Sequence, residues 1–269
     1  MMKKTLQLAN IIAFIATIIV NYASNTGAIN NTTIGEVSAS MQNLFTPAGY
    51  AFSIWGVIYL LLLGFIIYQS RSLFTKVRDD AFILKTGWWF VLSCTANILW
   101  VLFWLYGYFS YSILAIFVLL FSLIMIVMRN RMELWDGPIS VIAFLWWPFV
   151  FYSGWVTVAS IANVSAYLTS IDWDGWGISE PTWAIIMLLV AGVINLIITW
   201  TRNMREFALV GVWAVVAIAV ANWNEYQSVA YTAIFVAAIL FVSSSIHAFK
   251  NRDTAPHLKL KEFLEKDSR

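Results

Sequence analysis

The sequence predicts an all-α fold, a polytopic transmembrane helical bundle of about eight helices with both termini in the cytoplasm. Three observations carry this. Hydrophobic residues make up 61% of the 269 positions and charged residues only 11%, against about a quarter charged in soluble domains. Eight long apolar runs have no Asp, Glu, Lys or Arg in their interiors. Lys and Arg occupy only alternate connections between those runs. A soluble chain this apolar would carry large greasy patches, and lipid is the simplest cover for them.

A spanning helix needs about 20 mostly apolar residues. The first run, Leu6–Ser24, follows Lys3 and Lys4 and reads as a retained helix; as a cleaved leader it would leave seven spans and an external N-terminus. The second covers Pro47–Gln69, the third Thr86–Tyr106 and the fourth Tyr111–Met128. The fifth, Pro138–Asn163, holds Pro148 well inside it. That proline removes one backbone bond, frees the Phe144 carbonyl and should kink the helix. Trp183–Trp200 follows, with Asn195 expected as interhelical hydrogen-bond glue. Phe207–Asn222 is the shortest run, and Ser228–Phe249 the last. The pairs Ala217/Ala221 and Ala233/Ala237 suggest a tight hairpin of these two. Strands are excluded, because a barrel strand alternates apolar and polar residues and these runs are apolar all round. Backbone groups in lipid need internal partners, which leaves the helix.

The basic residues test this count. They lie at Lys3 and Lys4; at Arg71, Lys76, Arg78 and Lys85; at Arg129 and Arg131; at Arg202 and Arg205; and at Lys250, Arg252, Lys259, Lys261, Lys266 and Arg269. These are all 16 in the chain. The other connections hold Glu36, Asp172, Asp174, Glu180 and Glu225, and no basic residue. A miscount by one helix would destroy the alternation, which obeys the positive-inside rule. It places the chain in the inner or plasma membrane, and it reads the outer acids as solvated loop charge.

Several functions are excluded by what is missing. Proton-coupled transporters keep titratable groups within a span, and none of these interiors holds a carboxylate. A retinal protein needs a lysine deep in a helix, and every lysine is on the cytoplasmic side. No phosphate loop, nucleophile elbow, zinc-protease helix or dinucleotide fingerprint occurs. The lone Cys94 can make neither an intramolecular disulfide nor a zinc cluster, and reads as a small buried side chain. No catalytic residue, no metal ligand and no nucleic-acid contact is expected, and the chain is not read as an enzyme.

The unusual feature is the 15 tryptophans. Trp88, Trp89, Trp135 and Trp200 fall at one interface, and Trp173, Trp176, Trp183 and Trp223 at the other, as an aromatic belt would. Trp55, Trp100, Trp104, Trp146, Trp147, Trp155 and Trp213 lie deeper, where an indole N–H needs a partner that lipid tails lack. Ser93, Asn97, Trp100 and Trp104 share one face of the third helix. Trp147, Phe151, Trp155, Ala159 and Asn163 form a stripe on the fifth. Asn beside Trp on each stripe means that both face protein or a cavity. The alternatives are satisfied packing seams and an aromatic-lined pocket.

Three motifs then stand in order: Pro47, Trp55 and Tyr59; Asn97, Trp100 and Trp104; Tyr152, Trp155 and Asn163. In spacing they resemble the second, third and fifth helices of the tryptophan-rich sensory protein family, the TspO or translocator-protein family. The likeness covers residues 1–165 as a five-helix bundle. Residues 166–249 then add three helices, as in longer proteins similar to the family, and 250–269 form a basic cytoplasmic tail. The family's second proline before Trp55, and its prolines after Trp100 and just before Tyr152, are replaced here by other residues, with Pro148 three residues before Phe151. The resemblance implies a pocket for a hydrophobic aromatic ligand, with a porphyrin or haem-like molecule as the candidate. It would be lined by Trp55, Tyr59, Asn97, Trp100, Trp104, Tyr152, Trp155 and Asn163. Flat apolar ligands suit indole faces with few polar anchors. The runner-up is a secondary transporter or facilitator of a neutral solute; a porphyrin-degrading enzyme finds no nucleophile or metal site in support. The expected partners are the lipid bilayer, the hydrophobic ligand and, as an open option, a second copy in a homodimer.

Overall fold

The computed structural model describes residues 2–77, 80–252 and 256–267, apart from the side chains of 266 and 267. Of the basic residues counted above, the side chains of Arg78, Lys266 and Arg269 lie outside what it describes. No strand occurs among the described residues. The helices are α1 (Met2–Asn25), α2 (Ile34–Ser40), α3 (Ile54–Phe74), α4 (Phe82–Thr86), α5 (Trp89–Leu105), α6 (Phe109–Asn130), α7 (Ile139–Val141), α8 (Trp147–Ser170), α9 (Glu180–Arg202), α10 (Arg205–Asn222), α11 (Gln227–Lys250) and α12 (Pro256–Asp267).

Seven of the eight expected runs form helices long and apolar enough to cross a membrane. The exception is the third. It begins at Trp89, not Thr86, because Gly87 has φ +54° and ends the short α4. This leaves α5 with 17 residues, about 25 Å at a rise of ~1.5 Å per residue. The run expected to be shortest, α10, has 18 residues.

Pro148 does not produce a simple kink. It stands in the first turn of α8, where its missing N–H costs nothing. The irregularity lies just before it, in a π-helical turn at Ile142–Trp146 where Trp147 N–H reaches back to the Ile142 carbonyl. α8 then runs unbroken past residue 165 to Ser170.

α8 is the centre of the bundle. It packs on α3 and α6 on one side and on α10 on the other. The α8–α10 seam is close because Gly154 lies there: a Cβ on it would come within 3.2 Å of the Phe207 carbonyl oxygen and of Val210. α10 and α11 form the tightest hairpin, with Ala217, Ala233 and Ala237 buried. Small residues bring backbones together where no hydrophobic effect can. Asn195 bonds back to the Ala191 carbonyl of its own helix, and its Oδ1 packs against Gly211 without a partner. Apolar side chains such as Ile12, Leu60, Phe121, Val193 and Phe235 point outward, as a lipid-facing surface requires.

α1 is bound in by polar contacts. Gln7 Nε2 donates to the Gln69 carbonyl at 2.6 Å, and Asn10 Nδ2 to Gln69 Oε1 at 2.9 Å. Cys94 is buried and free. The tail expected as simply basic contains the helix α12, whose Lys259 pairs with Asp136 at 2.8 Å.

Candidate functional site

Three helices carry the site. The chain enters α3 through a 3₁₀ turn at Gly49–Ser53, which sets Trp55 in the first turn of α3. The α5 stripe is buried throughout: Ser93, Asn97, Trp100 and Trp104 are each at most 5% exposed. On α8, Tyr152, Trp155 and Asn163 are likewise buried. All eight residues expected from the sequence meet in one cluster.

Trp55 is its hub. Its ring stacks on Tyr59 at 5.5 Å between centroids and lies 6.1 Å from Trp100. It meets Tyr152 and Trp155 edge-on at 5.7 and 6.3 Å. Trp104 stacks on Trp100 at 6.1 Å. Offset and edge-to-face geometries of this kind are the favourable ones for aromatic quadrupoles.

The polar atoms divide into two groups. One group is closed upon itself. Asn21 Nδ2 donates to Asn97 Oδ1 at 2.7 Å, and Asn97 Nδ2 donates to Tyr152 Oη at 3.0 Å. Trp100 Nε1 donates to Asn163 Oδ1 at 2.7 Å, and Asn163 Nδ2 to Ser112 Oγ at 2.8 Å. Trp104 Nε1 donates to the Ile34 carbonyl at 3.3 Å. These are satisfied seams between helices. The other group is open: Trp55 Nε1 and Trp155 Nε1 are buried without a partner.

Both unpartnered indoles line a cavity of about 50 Å³. Trp100, Trp104 and Asn163 line it too, with Phe52, Pro47 and Ala214 closing it. Trp146 and Trp147 also lack indole partners, but they lie at the π turn and not in this cavity. Tyr59, Asn97 and Tyr152 sit in a layer behind the cavity and do not line it. Tyr59 instead borders an apolar groove between α1 and α3.

The cavity is covered by the segment from Leu44 to Phe52, and the last helices hold that cover. Asn222 Nδ2 of α10 donates to the Leu44 carbonyl at 3.0 Å. Trp213 Nε1, also of α10, donates to the Ala51 carbonyl at 3.1 Å. Ala48 N–H donates to the Ala217 carbonyl at 3.0 Å. Glu180 Oε1, at the start of α9, accepts from Leu44 N–H at 3.1 Å. On the other side, α2 is fixed by a capping box between Thr33 and Glu36. Those bonds to Thr33 hold the exposed Glu36 carboxyl below the usual range.

Sequence reasoning missed Asn21, Ala214 and this set of anchors. A signal for the first existed: Asn10, Phe14, Thr17 and Asn21 repeat the i, i+4, i+7, i+11 spacing of the α5 stripe, and all four are buried. No local signal marks Asn222 or Trp213, because their partners lie more than 160 residues away.

The arrangement offers aromatic walls, two free N–H donors and no carboxylate or metal cluster. Among the described residues no group of three His, Cys, Asp or Glu could hold a metal ion. No curated protein and no solved structure matches the chain. The model of the TSPO-like protein family matches residues 7–246, which runs through all eight apolar helices and includes the last three. By that match, with its buried cluster of indoles inside a multi-pass helical bundle, the chain belongs to the TSPO-like protein family.

Proposed function

We propose that the protein binds a flat, hydrophobic aromatic ligand in the indole-lined cavity and acts as a TspO-type sensor or binding protein, with a porphyrin as the candidate ligand. The observation that carries this reading is that Trp55 and Trp155, whose N–H groups are buried without a partner, both line the one cavity. A buried donor without a partner costs about 1–3 kcal/mol. A ligand that stacks on the rings and offers a carboxylate or carbonyl would remove that cost. Porphyrins have both features.

The cavity of about 50 Å³ is a closed state, since drug-sized ligands need roughly 300–1,000 Å³. Entry then requires the Leu44–Phe52 segment to move outward, which breaks its bonds to α9 and α10. By the positive-inside rule both termini would lie in the cytoplasm, and the covered end of the site at the outer face of the inner or plasma membrane. The chain's part is to stack, orient and exclude water; no step of bond breaking is assigned to it.

The test is a porphyrin titration of the purified protein, following tryptophan fluorescence, beside a Trp100→Leu/Trp155→Leu double variant. Saturable quenching that the variant loses supports the pocket. Equal, non-saturating quenching in both would mean micelle partitioning and packing seams only. Solute uptake by proteoliposomes, unaffected by porphyrin, would favour the facilitator.

A further inference from the structure

A second cavity, of about 670 Å³, opens on the opposite face of α8. The two faces follow from helical geometry. Val158, Ala159, Ala162 and Asn163 border the indole cavity, whereas Thr157, Ser160, Ile161 and Val164 border the second one. At about 100° per residue these sets point in opposite directions. The two cavities therefore open on different faces of α8, although Leu44, Phe45 and Glu180 at the rim of the second belong to the cover of the first and its anchor.

Its lining changes character with depth. Phe117 and Leu120 of α6, Ile161 and Val164 of α8, and Met187 and Ile194 of α9 form a slot. The α8 hydroxyls there are already spent: Thr157, Ser160 and Ser165 each bond to a carbonyl of their own helix at 2.8, 2.7 and 3.1 Å. The slot is therefore apolar in effect. Its mouth is different. Asp172, Asp174 and Glu180 border it beside the rings of Trp173 and Trp183. These rings lie 5.4 Å apart at 50° to one another, and Trp183 is fixed by donating to the Gly175 carbonyl at 2.8 Å. No Lys or Arg lines the cavity, and none occurs in any connection on this side of the bundle.

Three of the five acids expected to be solvated loop charge, Asp172, Asp174 and Glu180, thus stand at the rim of an amphipathic pocket. An anion is opposed by three carboxylates. A bare metal ion would want a tight cluster of oxygens, and the described residues offer no such group. An organic cation suits both the charge and the rings, since indole faces attract ammonium groups. The volume lies within the range of drug-sized ligand sites, roughly 300–1,000 Å³.

We propose that this cavity binds an amphiphilic organic cation. Its ammonium head sits at Asp172 and Asp174 against Trp173 and Trp183, and its apolar body fills the slot between α6 and α9.

The experiment titrates the full chain, in a neutral maltoside detergent, with dodecyltrimethylammonium and separately with dodecyl sulfate. The readouts are tryptophan fluorescence and calorimetry. The expected result is saturable binding of the cation and none of the sulfate. The double variant Asp172→Asn/Asp174→Asn should bind the cation at least tenfold more weakly. Its new amide at position 174 keeps an oxygen for the Trp176 N–H that Asp174 now caps. Ile161→Trp, which fills the slot but leaves the rim charge, should also lose the dodecyl probe. Trp100→Leu/Trp155→Leu should bind it as the natural chain does. Equal cation binding by the natural chain and the Asp double variant would overturn the proposal, as would sulfate binding as tight as that of the cation.

Discussion

The weight of individual side chains is clearest at Asn163. It accepts from Trp100 and donates to Ser112, so it ties α5, α6 and α8 together. Asn163→Leu would leave the Trp100 N–H buried and alone. We expect a loss of about 1–2 kcal/mol in detergent unfolding, more than the ~0.6 kcal/mol average of intramembrane hydrogen bonds, because a donor is orphaned. A second residue-scale prediction concerns Glu133, between α6 and α7. One of its carboxylate oxygens is shut off from solvent without a partner. Burial, reinforced by Glu206 and opposed by Arg205, pushes the carboxyl from 4.5 up to about 8. Between pH 4.5 and 8 the unfolded chain ionises Glu133 while the folded chain keeps its proton. Folded stability therefore falls as pH rises through that window and levels off above it. Glu133→Gln should flatten the decline, with a thermal midpoint like that of the natural chain near pH 4.5 and a higher one at pH 8. At this scale the cavity-lining tryptophans were legible, because stripes at helical spacing force them to one face. Asn21 was legible in the same way, on the Asn10, Phe14, Thr17 and Asn21 stripe, but its pairing with Asn97 was not, because spacing within one helix does not say which helix it faces.

Helices explain how the site is framed. α8 serves two cavities because its opposite faces are lined by different residues, and it approaches α10 only because Gly154 has no side chain. Gly154→Val would push against the Phe207 backbone, which cannot give as a flexible side chain could. We expect a loss of about 1–3 kcal/mol, read as a lower thermal midpoint. Porphyrin binding should weaken with it, since α10 holds the cover of the site. The existence of all eight helices was plain from run length and the placement of charge. The start of α5 was missed because Gly87 takes a left-handed conformation that composition does not reveal. The π turn was missed because proline specifies a disturbance but not its form. In α8 the disturbance is absorbed one turn earlier, and Pro148 then occupies a position that suits it.

For the molecule as a whole, the last three helices are an integral part of the architecture. A division of the sequence at residue 165 misses that α10 clamps the Leu44–Ala51 segment, because contacts between distant residues leave no periodic trace. The orientation in the membrane is an expectation that rests on the basic residues alone. In a Cys94→Ala background, Lys76→Cys should react with an impermeant thiol reagent only from the cytoplasmic side. Asn224→Cys should react only from the outside, and labelling of both from one side would refute the assigned topology. The central claim is that Trp55 and Trp155 are donors waiting for a ligand, and indole ¹H–¹⁵N spectra test it most directly. Added porphyrin should move the Trp55 and Trp155 resonances saturably and together, and leave in place Trp183 and Trp200, which are already bonded and lie outside the cavity and its cover. A uniform, non-saturating drift of all indole signals, or movement of neither of the two, would contradict it.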